Sequence, residues 1–265
     1  MSPAEFDSLA RRQLADYDSR SPGMMFAERG IELSLKEAYQ LQIETVRLRK
    51  ARGEKVAGYK IGCVSETIRR QLGVEHPVFG HVFEGEFRQS GVELPEGEFD
   101  QLGIEGEFAV TLARDVSAPD DLREDPRRFA GEVFPVIELH NFAFRRADPS
   151  AVELIANNAV HAGNVVSKSR SAAKEIAELE ISVAINGEEL GRATVDPFAT
   201  MHELAQRLWA FDIPLHAGDI LLTGSPLPLY RVAARDEIRV SCPAIAEVTA
   251  CVAGSARTDH DSCGS

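Results

Sequence analysis

Two glutamates, Glu105 and Glu107, stand two positions apart in an otherwise largely apolar stretch, residues 103–112. Side chains at positions i and i+2 of a β-strand project from the same face, so the two carboxylates would lie roughly 7 Å apart along the strand. Such a pair can converge on one hard cation, and Mg²⁺ and Mn²⁺ accept oxygen ligands of this kind. Taken alone, the pattern is also that of a half-exposed strand with two solvated glutamates.

Single charges interrupt two other apolar stretches, at Lys60 in residues 56–64 and at Glu138 in residues 133–139. An ammonium or carboxylate group is costly to bury without a partner. Lys60 is therefore either an edge lysine that reaches solvent or a site lysine that meets a carboxylate or ligand. Glu138 lies either at the wet end of its strand or beside a cation. The glycines two positions before and after Lys60 leave room for a close approach to its strand.

The charged strands belong to a chain that mixes helical and extended patterns. Ser34 and Glu37 have the spacing of a capping box, which predicts a helix to about residue 52, and Asn186-Gly187 predicts a hairpin with a type I′ turn. Other predicted helices cover residues 5–20, 150–166 and 202–211. Other predicted strands lie within residues 215–224, 237–242 and 246–252. Pro77, Gly80 and Gly85 predict an irregular loop that extends to the strand of Glu105. The pattern predicts an α+β fold with a mixed sheet system.

The composition excludes several classes of partner. The 42 acidic residues exceed the 29 basic ones, giving a net charge of −13, which argues against nucleic acid and anionic membranes as partners. No apolar run approaches the ~20 residues of a membrane span, and the first residues lack the pattern of an export signal. The four cysteines show no metal-binding spacing and indicate reduced thiols in a cytoplasmic protein.

Common cofactor and hydrolase motifs are absent from the sequence. There is no G-x-G-x-x-G after a strand, no P-loop and no G-x-S-x-G. His202-Glu203 begins like the helix of a zinc protease, but Gln206 stands where the second histidine would be. The other scattered histidines are interpreted as surface or hydrogen-bonded core residues; they are His76, His81, His140, His216 and His260.

Five blocks in their order and spacing resemble the 2-keto-4-pentenoate hydratase family, which includes the 4-oxalocrotonate decarboxylases and belongs to the fumarylacetoacetate hydrolase superfamily. The blocks are Gly58-Tyr59-Lys60-Ile61-Gly62, then Arg70-Gln71-Leu72-Gly73-Val74 with Pro77-x-Phe79-Gly80, then Glu105-x-Glu107-x-Ala109-x-x-Leu112, then Glu138 and Asn158, and finally Gly218-Asp219-Ile220-x-Leu222-Thr223-Gly224. The resemblance covers residues 30–252.

The resemblance implies a mixed β-sandwich roll of the fumarylacetoacetate hydrolase C-terminal type with an N-terminal helical region. The regions are then a helical segment over residues 1–55 and a metal-dependent catalytic β-roll over 56–253. Separately, the small and polar residues from Gly254 onward predict a disordered tail over 254–265. The resemblance also implies a homo-oligomer that uses Mg²⁺ or Mn²⁺. The implied metal ligands are Glu105, Glu107 and Glu138, the implied site lysine is Lys60, and the implied substrate-binding residues are Asn157, Asn158 and Thr223.

The implied activity is that of a hydro-lyase with a small-molecule substrate, which adds water to a 2-hydroxy-2,4-dienoate or 2-oxo-enoate through a metal-bound enolate. A 2-oxo acid can chelate a hard cation, which polarises its carbonyl group and stabilises the enolate. Lys60 beside that site could orient the substrate carboxylate or pass a proton.

The sequence departs from the family where its members read Asp-Asn-x-Ser-x-Gly, because here the segment begins Asn157-Asn158-Ala159-Val160-His161. Val78 likewise replaces a usual acidic residue. Asn157 cannot act as a base, so either His161 acts in its place or the reaction differs. One alternative is a decarboxylase of the 4-oxalocrotonate type, whose substrate carries a second carboxylate. Arg145 and Arg146 are either candidate residues for binding that carboxylate or two solvated arginines in a loop. Another is a non-catalytic ligand-binding relative; carbon–carbon hydrolysis is disfavoured because the expected His-x-x-Glu element is absent.

Overall fold

The computed structural model describes residues 2–28, 30–95, 97–146 and 150–254. The α-helices are α1 (Pro3–Asp18), α2 (Leu35–Ala51), α3 (Glu66–Leu72), α4 (Asp121–Glu124), α5 (Ala151–Ala156) and α6 (Met201–Trp209). Among the described residues, none of the helices has the length and hydropathy needed to cross a bilayer. All but the first residue of the predicted tail lies outside the described ranges.

The strands form two mixed sheets. They are β1 (Val56–Gly62), β2 (Val78–Phe83), β3 (Phe87–Gln89), β4 (Val92–Leu94), β5 (Leu102–Leu112), β6 (Ala130–Asn141), β7 (His161–Val166), β8 (Ser171–Ala172), β9 (Leu179–Ile185), β10 (Glu188–Val195), β11 (Ile220–Leu222), β12 (Tyr230–Arg231), β13 (Glu237–Cys242) and β14 (Ala246–Val252). The larger sheet has the order β2-β1-β11-β5-β6-β7-β3, with β12 paired to β5 and β8 to β6. The smaller sheet has the order β10-β9-β13-β14-β4. Both sheets contain parallel and antiparallel pairs.

The two faces of the larger sheet meet different surroundings. On one face of β5, Ile104, Phe108, Val110 and Leu112 join the main hydrophobic core, which also contains side chains from the smaller sheet. Alternation along the strand places Glu105 and Glu107 on the other face. A separate buried cluster lies on that second face, made of Val82, Ala109, Phe134, Val136, Val166 and Leu222. Both faces of β5 are therefore largely buried. This excludes the interpretation of residues 103–112 as a half-exposed strand with two solvated glutamates.

The N-terminal helices form a third buried cluster with α5 and β2. The predicted capping box of α2 is present, because the Glu37 backbone N–H donates to Ser34 Oγ at 3.3 Å and the Ser34 backbone N–H donates to Glu37 Oε2 at 2.9 Å. Gln42 of α2 anchors this layer to the rest of the fold by donating to the Phe79 and Ile155 carbonyl oxygens. The helices thus cover the end of the larger sheet at which β1 and β2 lie.

Much of the predicted architecture is confirmed. The α+β fold with mixed sheets and N-terminal helices is present. Strands β13 and β14 coincide with the predicted residues 237–242 and 246–252. Positive φ angles of 53° at Asn186 and 82° at Gly187 give the hairpin between β9 and β10 its predicted type I′ turn.

Two local predictions are wrong. The segment predicted as an irregular loop contains β2, which pairs with β1. Gly80 lies within β2, and a Cβ atom there would come within 2.8 Å of the Asn158 carbonyl oxygen, so the position favours glycine for its lack of a side chain and not because it forms a turn. The helix predicted over residues 150–166 ends at Ala156. Positive φ angles at residues 158–160 turn the chain away, and His161–Val166 continues as β7, between β6 and β3.

Candidate active site

The pairing of β5 with β6 brings the three glutamates together. Glu105 lies directly opposite Glu138, and Glu107 follows two residues further along the same face of β5. We refer to Glu105, Glu107 and Glu138 as the acidic cluster. Glu107 and Glu138 are 0% and 1% exposed. Directly opposed like charges destabilise a sheet, so the arrangement requires a cation or a bound proton.

Lys60 supplies one of the cations. It lies on β1 with 2% exposure, and its Nζ atom is 2.5 Å from Glu138 Oε1. Burial alone would lower the pKa of Lys60, but the negative charge of Glu138, helped by the glutamates of β5, raises this pKa above its ordinary value. Lys60 therefore stays protonated at neutral pH and is paired, so it is not an edge lysine that reaches solvent.

Glu107 and Glu138 differ in the direction in which their surroundings shift the pKa of the carboxyl group. Burial, together with the negative charge of Glu138, raises the pKa of Glu107 well above its usual range. Burial acts in the same direction on Glu138, but His140 and Lys60 hold the pKa of that carboxyl well below its usual range. Glu107 Oε2 accepts a hydrogen bond from the Gly224 backbone N–H at 2.5 Å. Its other oxygen, Oε1, is buried without a hydrogen-bond partner among the described residues.

His140 lies two residues beyond Glu138 on β6 and faces the same cluster. Its Nε2 atom is 3.1 Å from Glu105 Oε2 and 3.3 Å from Glu138 Oε2. Ligand atoms of Glu105, Glu138 and His140 all lie within 4.8 Å of one another. Sequence patterns had placed His140 among the scattered histidines, because nothing in its neighbourhood along the chain marks it as a site residue.

These side chains fit a divalent cation. The acidic cluster offers hard oxygen donors, one of which lacks a partner, and three carboxylates with one ammonium leave a formal charge of −2. The predicted ligand set of Glu105, Glu107 and Glu138 stays a prediction, since the compact group of possible ligand atoms contains Glu105, Glu138 and His140.

His161 lies on the opposite side of Glu138 from His140. Its Nδ1 atom is 2.6 Å from Glu138 Oε1, the oxygen that also accepts from Lys60. A carboxylate can only accept, so Nδ1 carries the hydrogen, and in the neutral ring Nε2 is then an acceptor. Asn164 Nδ2 lies 3.4 Å from Nε2, as a donor to it would. The contact with Glu138 thus fixes the orientation of the imidazole ring.

The turn before His161 has three consecutive residues in the left-handed region. The φ angles are 56° at Asn158, 51° at Ala159 and 54° at Val160, a conformation that is strained for a β-branched residue. The Asn158 side chain stabilises this turn, because it accepts from the His81 backbone N–H at 2.7 Å and donates to the His81 carbonyl oxygen at 2.8 Å. The turn places the Ala159 carbonyl oxygen 3.4 Å from Lys60 Nζ.

The predicted substrate-binding residues differ in what their side chains do. Asn158 is occupied by the backbone of β2. The Thr223 hydroxyl donates to the Phe108 carbonyl oxygen at 3.0 Å. Asn157 Oδ1 accepts from Gln13 of α1, whereas Asn157 Nδ2 has no hydrogen-bond partner among the described residues.

A second buried charge pair, Arg49 with Glu86, joins α2 to the site and was not predicted. Arg49 Nη2 lies 2.8 Å from Glu86 Oε1, which also accepts from the Tyr17 hydroxyl at 3.0 Å. His161 Nε2 lies 3.5 Å from Glu86 Oε2. Burial opposes ionisation, but His161, when its Nε2 atom also carries a hydrogen, and Arg49 lower the pKa of Glu86 to about 2. Nothing in the sequence marks this pair, since its members are 37 positions apart.

A cavity of about 280 Å³ lies between α1, α2 and the 156–162 segment. Its lining includes Asn157, Asn158 and His161, together with Arg49 and Tyr17. Among the described residues that line it, none belongs to the acidic cluster. His161 lines the cavity and contacts Glu138, so it stands between the cavity and the cluster.

The candidate cationic residues Arg145 and Arg146 bind the N-terminal segment. Arg145 forms an ion pair with Asp100 at 2.6 Å and donates to the Pro22 carbonyl oxygen at 3.2 Å. Arg146 donates to the Ile31 carbonyl oxygen and stacks on the Phe26 ring. Both guanidinium groups therefore fix the segment between α1 and α2.

Comparison with known proteins identifies relatives over most of the chain. The family described as fumarylacetoacetate (FAA) hydrolase C-terminal matches residues 81–253. The chain is 30% identical to the 2-hydroxyhexa-2,4-dienoate hydratase of Comamonas testosteroni, over 77% of this chain and 81% of that protein. It is 31% identical to a 2-keto-4-pentenoate hydratase of Burkholderia vietnamiensis, over 74% of this chain and 78% of that protein.

Solved structures share the fold. The 4-oxalocrotonate decarboxylase from Pseudomonas putida G7, complexed with magnesium and adipate, superposes with a TM-score of 0.85 at 21% identity, over 95% of this chain and 98% of that chain. A fumarylpyruvate hydrolase from Pseudomonas aeruginosa, in complex with Mn²⁺ and pyruvate, has a TM-score of 0.57 at 14% identity, over 74% of this chain and 88% of that chain. At these identities the likeness establishes the fold alone.

Proposed function

The chain belongs to the fumarylacetoacetate hydrolase C-terminal family, and from that premise we propose that it is a divalent-metal-dependent hydratase acting on a 2-hydroxy-2,4-dienoate or 2-oxo-enoate. The observation that carries the proposal is the pairing of Lys60 with Glu138 inside a buried acidic cluster. A fold has no structural need for three buried ionisable groups, Lys60, Glu107 and Glu138, beside the partly exposed Glu105, and their desolvation is costly. Two relatives that match about three quarters of this chain are named 2-hydroxyhexa-2,4-dienoate hydratase and 2-keto-4-pentenoate hydratase.

Glu105, Glu107 and Glu138 would hold a Mg²⁺ or Mn²⁺ ion, with His140 beside them. When bound, the ion supplies a Lewis acid that polarises the carbonyl group of a 2-oxo acid. Glu107 must then be ionised. Without an ion, burial and the negative charge of Glu138 raise the pKa of Glu107 and favour its protonated form, so metal binding would be coupled to release of a proton.

Lys60 acts as a fixed cation in this proposal. Because the pKa of Lys60 is raised, its Nζ atom keeps its protons at neutral pH and donates hydrogen bonds rather than accepting a proton. Held by Glu138 Oε1 and the Ala159 carbonyl oxygen, the ammonium group can attract and orient a substrate carboxylate.

His161 exchanges protons with the substrate. Its Nδ1 hydrogen is bound to Glu138, which leaves Nε2 as the basic atom, on a residue that lines the cavity. Asn157, which stands where the family has an acidic residue, cannot accept a proton, but its unpartnered Nδ2 group can donate a hydrogen bond to the substrate. Asn158 and Thr223 then shape the site through the backbone groups that they bind.

We also propose that the enzyme is a cytoplasmic homo-oligomer. Cys63, Cys242 and Cys251 are free thiols, as a reducing compartment requires. Light scattering coupled to gel filtration measures the number of subunits directly, and a monomer would contradict this part of the proposal.

The test follows proton NMR spectra of 2-hydroxy-2,4-dienoic and 2-oxo-enoic acids in heavy water. The purified protein is incubated with Mg²⁺, with Mn²⁺ that is removed before the spectrum, and with chelator. Metal-dependent addition of water supports the proposal. Loss of carbon dioxide instead would identify a decarboxylase, and absence of both products and of deuterium exchange with every metal would favour a ligand-binding relative. Either of the latter results overturns the hydratase assignment.

A further inference from the structure

Beside the three glutamates of the acidic cluster, the site contains an imidazole, that of His140, which could also bind a metal ion. His140 is 3% exposed, and neither of its ring nitrogens has a hydrogen-bond partner among the described residues. A buried polar group without a partner is costly. The proposed cation-binding function is taken as the starting point here, and the unpaired imidazole decides which cation the site prefers.

The distances around Nε2 are those of ligands on one ion. Metal–ligand bonds of about 2.1 Å at right angles separate neighbouring ligand atoms by roughly 3.0 Å. His140 Nε2 lies 3.1 Å from Glu105 Oε2 and 3.3 Å from Glu138 Oε2. Neither contact has the direction of a hydrogen bond. The nitrogen and the two oxygens are therefore placed to share one ion, and while no ion is bound the same contacts are ion pairs whenever His140 is protonated.

The surroundings of Glu138 leave the required oxygen available. Lys60 and His161 both bind Glu138 Oε1, at 2.5 and 2.6 Å. Glu138 Oε2 faces His140 and is free to bind an ion. Lys60 and His161 thus hold Glu138 through the oxygen that would not bind the ion, and such contacts orient a carboxylate ligand.

We infer that His140 is a direct ligand of the ion, and that the site consequently prefers a first-row transition ion such as Mn²⁺, Co²⁺ or Zn²⁺ over Mg²⁺. Imidazole nitrogen suits these ions, whereas Mg²⁺ demands oxygen ligands and retains water. Glu105, Glu138 and His140 then form a mixed oxygen and nitrogen ligand set. The ion preference thus departs from that of an all-carboxylate site.

The test is pulsed electron paramagnetic resonance of the whole protein loaded with Mn²⁺ and without substrate. A directly bound imidazole gives a ¹⁴N modulation of the Mn²⁺ signal. The wild-type protein is expected to show it, His140→Gln is expected to lose it, and His161→Gln serves as the matched control because His161 binds Glu138 only through the other oxygen. Wild-type Mn²⁺ without nitrogen coupling, or coupling that persists in His140→Gln, would overturn the inference.

Competition between ions gives a second readout. Titration calorimetry is expected to show that His140→Gln weakens Mn²⁺ and Co²⁺ binding by about tenfold or more and Mg²⁺ binding by less than about threefold. Equal losses for all three ions would overturn the inference. Because neither readout uses turnover, a protein with nitrogen-coupled Mn²⁺ and no hydratase activity would refute the proposed function while leaving the role of His140 intact.

Discussion

Replacing Glu86 by glutamine tests whether the buried charges between α2 and the site have the energies that their contacts imply. The pKa of Glu86 falls from an ordinary 4.5 to about 2, although burial opposes this, because the doubly protonated form of His161 and the Arg49 guanidinium stabilise the ionised carboxylate. A difference of about 2.5 pKa units corresponds to roughly 3 kcal/mol of folding stability at pH 7. Glu86→Gln is therefore expected to lower the free energy of unfolding by about 3 kcal/mol.

The sign of the pH dependence follows from the lowered pKa. The folded protein binds the proton on Glu86 less readily than the unfolded chain, so the contribution is complete above about pH 4.5 and is lost as the pH falls toward 2. The difference between wild type and Glu86→Gln should therefore shrink by roughly 1.4 kcal/mol per pH unit below about pH 4.5.

Urea unfolding followed by far-ultraviolet circular dichroism, at one protein concentration and at pH 7 and 3.5, measures this difference. Glu84→Gln is the matched control, because Glu84 is exposed and its contact with Lys55 is 3.7 Å long, so its loss should cost less than about 0.5 kcal/mol. A Glu86→Gln variant as stable as the control at pH 7, or a difference that stays constant down to pH 3.5, would refute the reasoning.

Three further predictions concern folding and metal binding. Gly58→Ala should prevent stable folding, because the new Cβ atom would lie 1.9 Å from the Ile220 carbonyl oxygen. Gly62→Ala is the matched control, since its Cβ atom would meet nothing nearer than 3.6 Å. Equal melting temperatures of the two variants would contradict this prediction. Asn158→Ala should lower the free energy of unfolding in urea by about 2–3 kcal/mol, since it removes two hydrogen bonds and places alanine, which tolerates a φ of 56° less well than asparagine, in the turn. A cost below about 0.5 kcal/mol would refute this prediction. Mn²⁺ at one fixed concentration, 100 times the dissociation constant of the wild-type protein, should raise the melting temperature of wild type by about 5–10 °C and that of Glu107→Gln by much less. An equal rise in both proteins would exclude Glu107 as a ligand.

Some elements of the fold could be predicted because their sequence patterns reflect their final surroundings. On β5 the apolar residues alternate with Glu105 and Glu107, and the two faces meet a hydrophobic core and the candidate site. The Asn186-Gly187 turn was predictable because two consecutive positive φ angles restrict the choice of residues.

Other elements could not be predicted because tertiary contacts determine them. Gly80 is typical of a loop, but in β2 it makes room for the Asn158 carbonyl oxygen, which arrives from a distant part of the chain. The apolar residues before His161 have a helical spacing, yet the left-handed turn at 158–160, stabilised by the backbone of β2, ends the helix.

The candidate site shows the same division. Lys60, Glu107 and Glu138 could be singled out because a charge inside an apolar stretch requires a partner. His140 could not, since an imidazole is unremarkable in a strand until the pairing of β5 with β6 places Glu105 beside it. Arg49, on the helix α2, resembles any solvated arginine until the rings of Tyr17 and Phe83 cover it.

The most direct test of the account measures the decay of the ultraviolet absorbance of 2-hydroxyhexa-2,4-dienoate with wild type and Glu107→Gln. Each protein is assayed with Mn²⁺, with Mg²⁺ and with chelator, and its bound metal is quantified in the same samples. We expect turnover by wild type with metal, none with chelator, and a loss of at least about 10³-fold in Glu107→Gln together with weakened metal binding. Turnover that survives both the chelator and the loss of the Glu107 carboxylate would contradict the central claim.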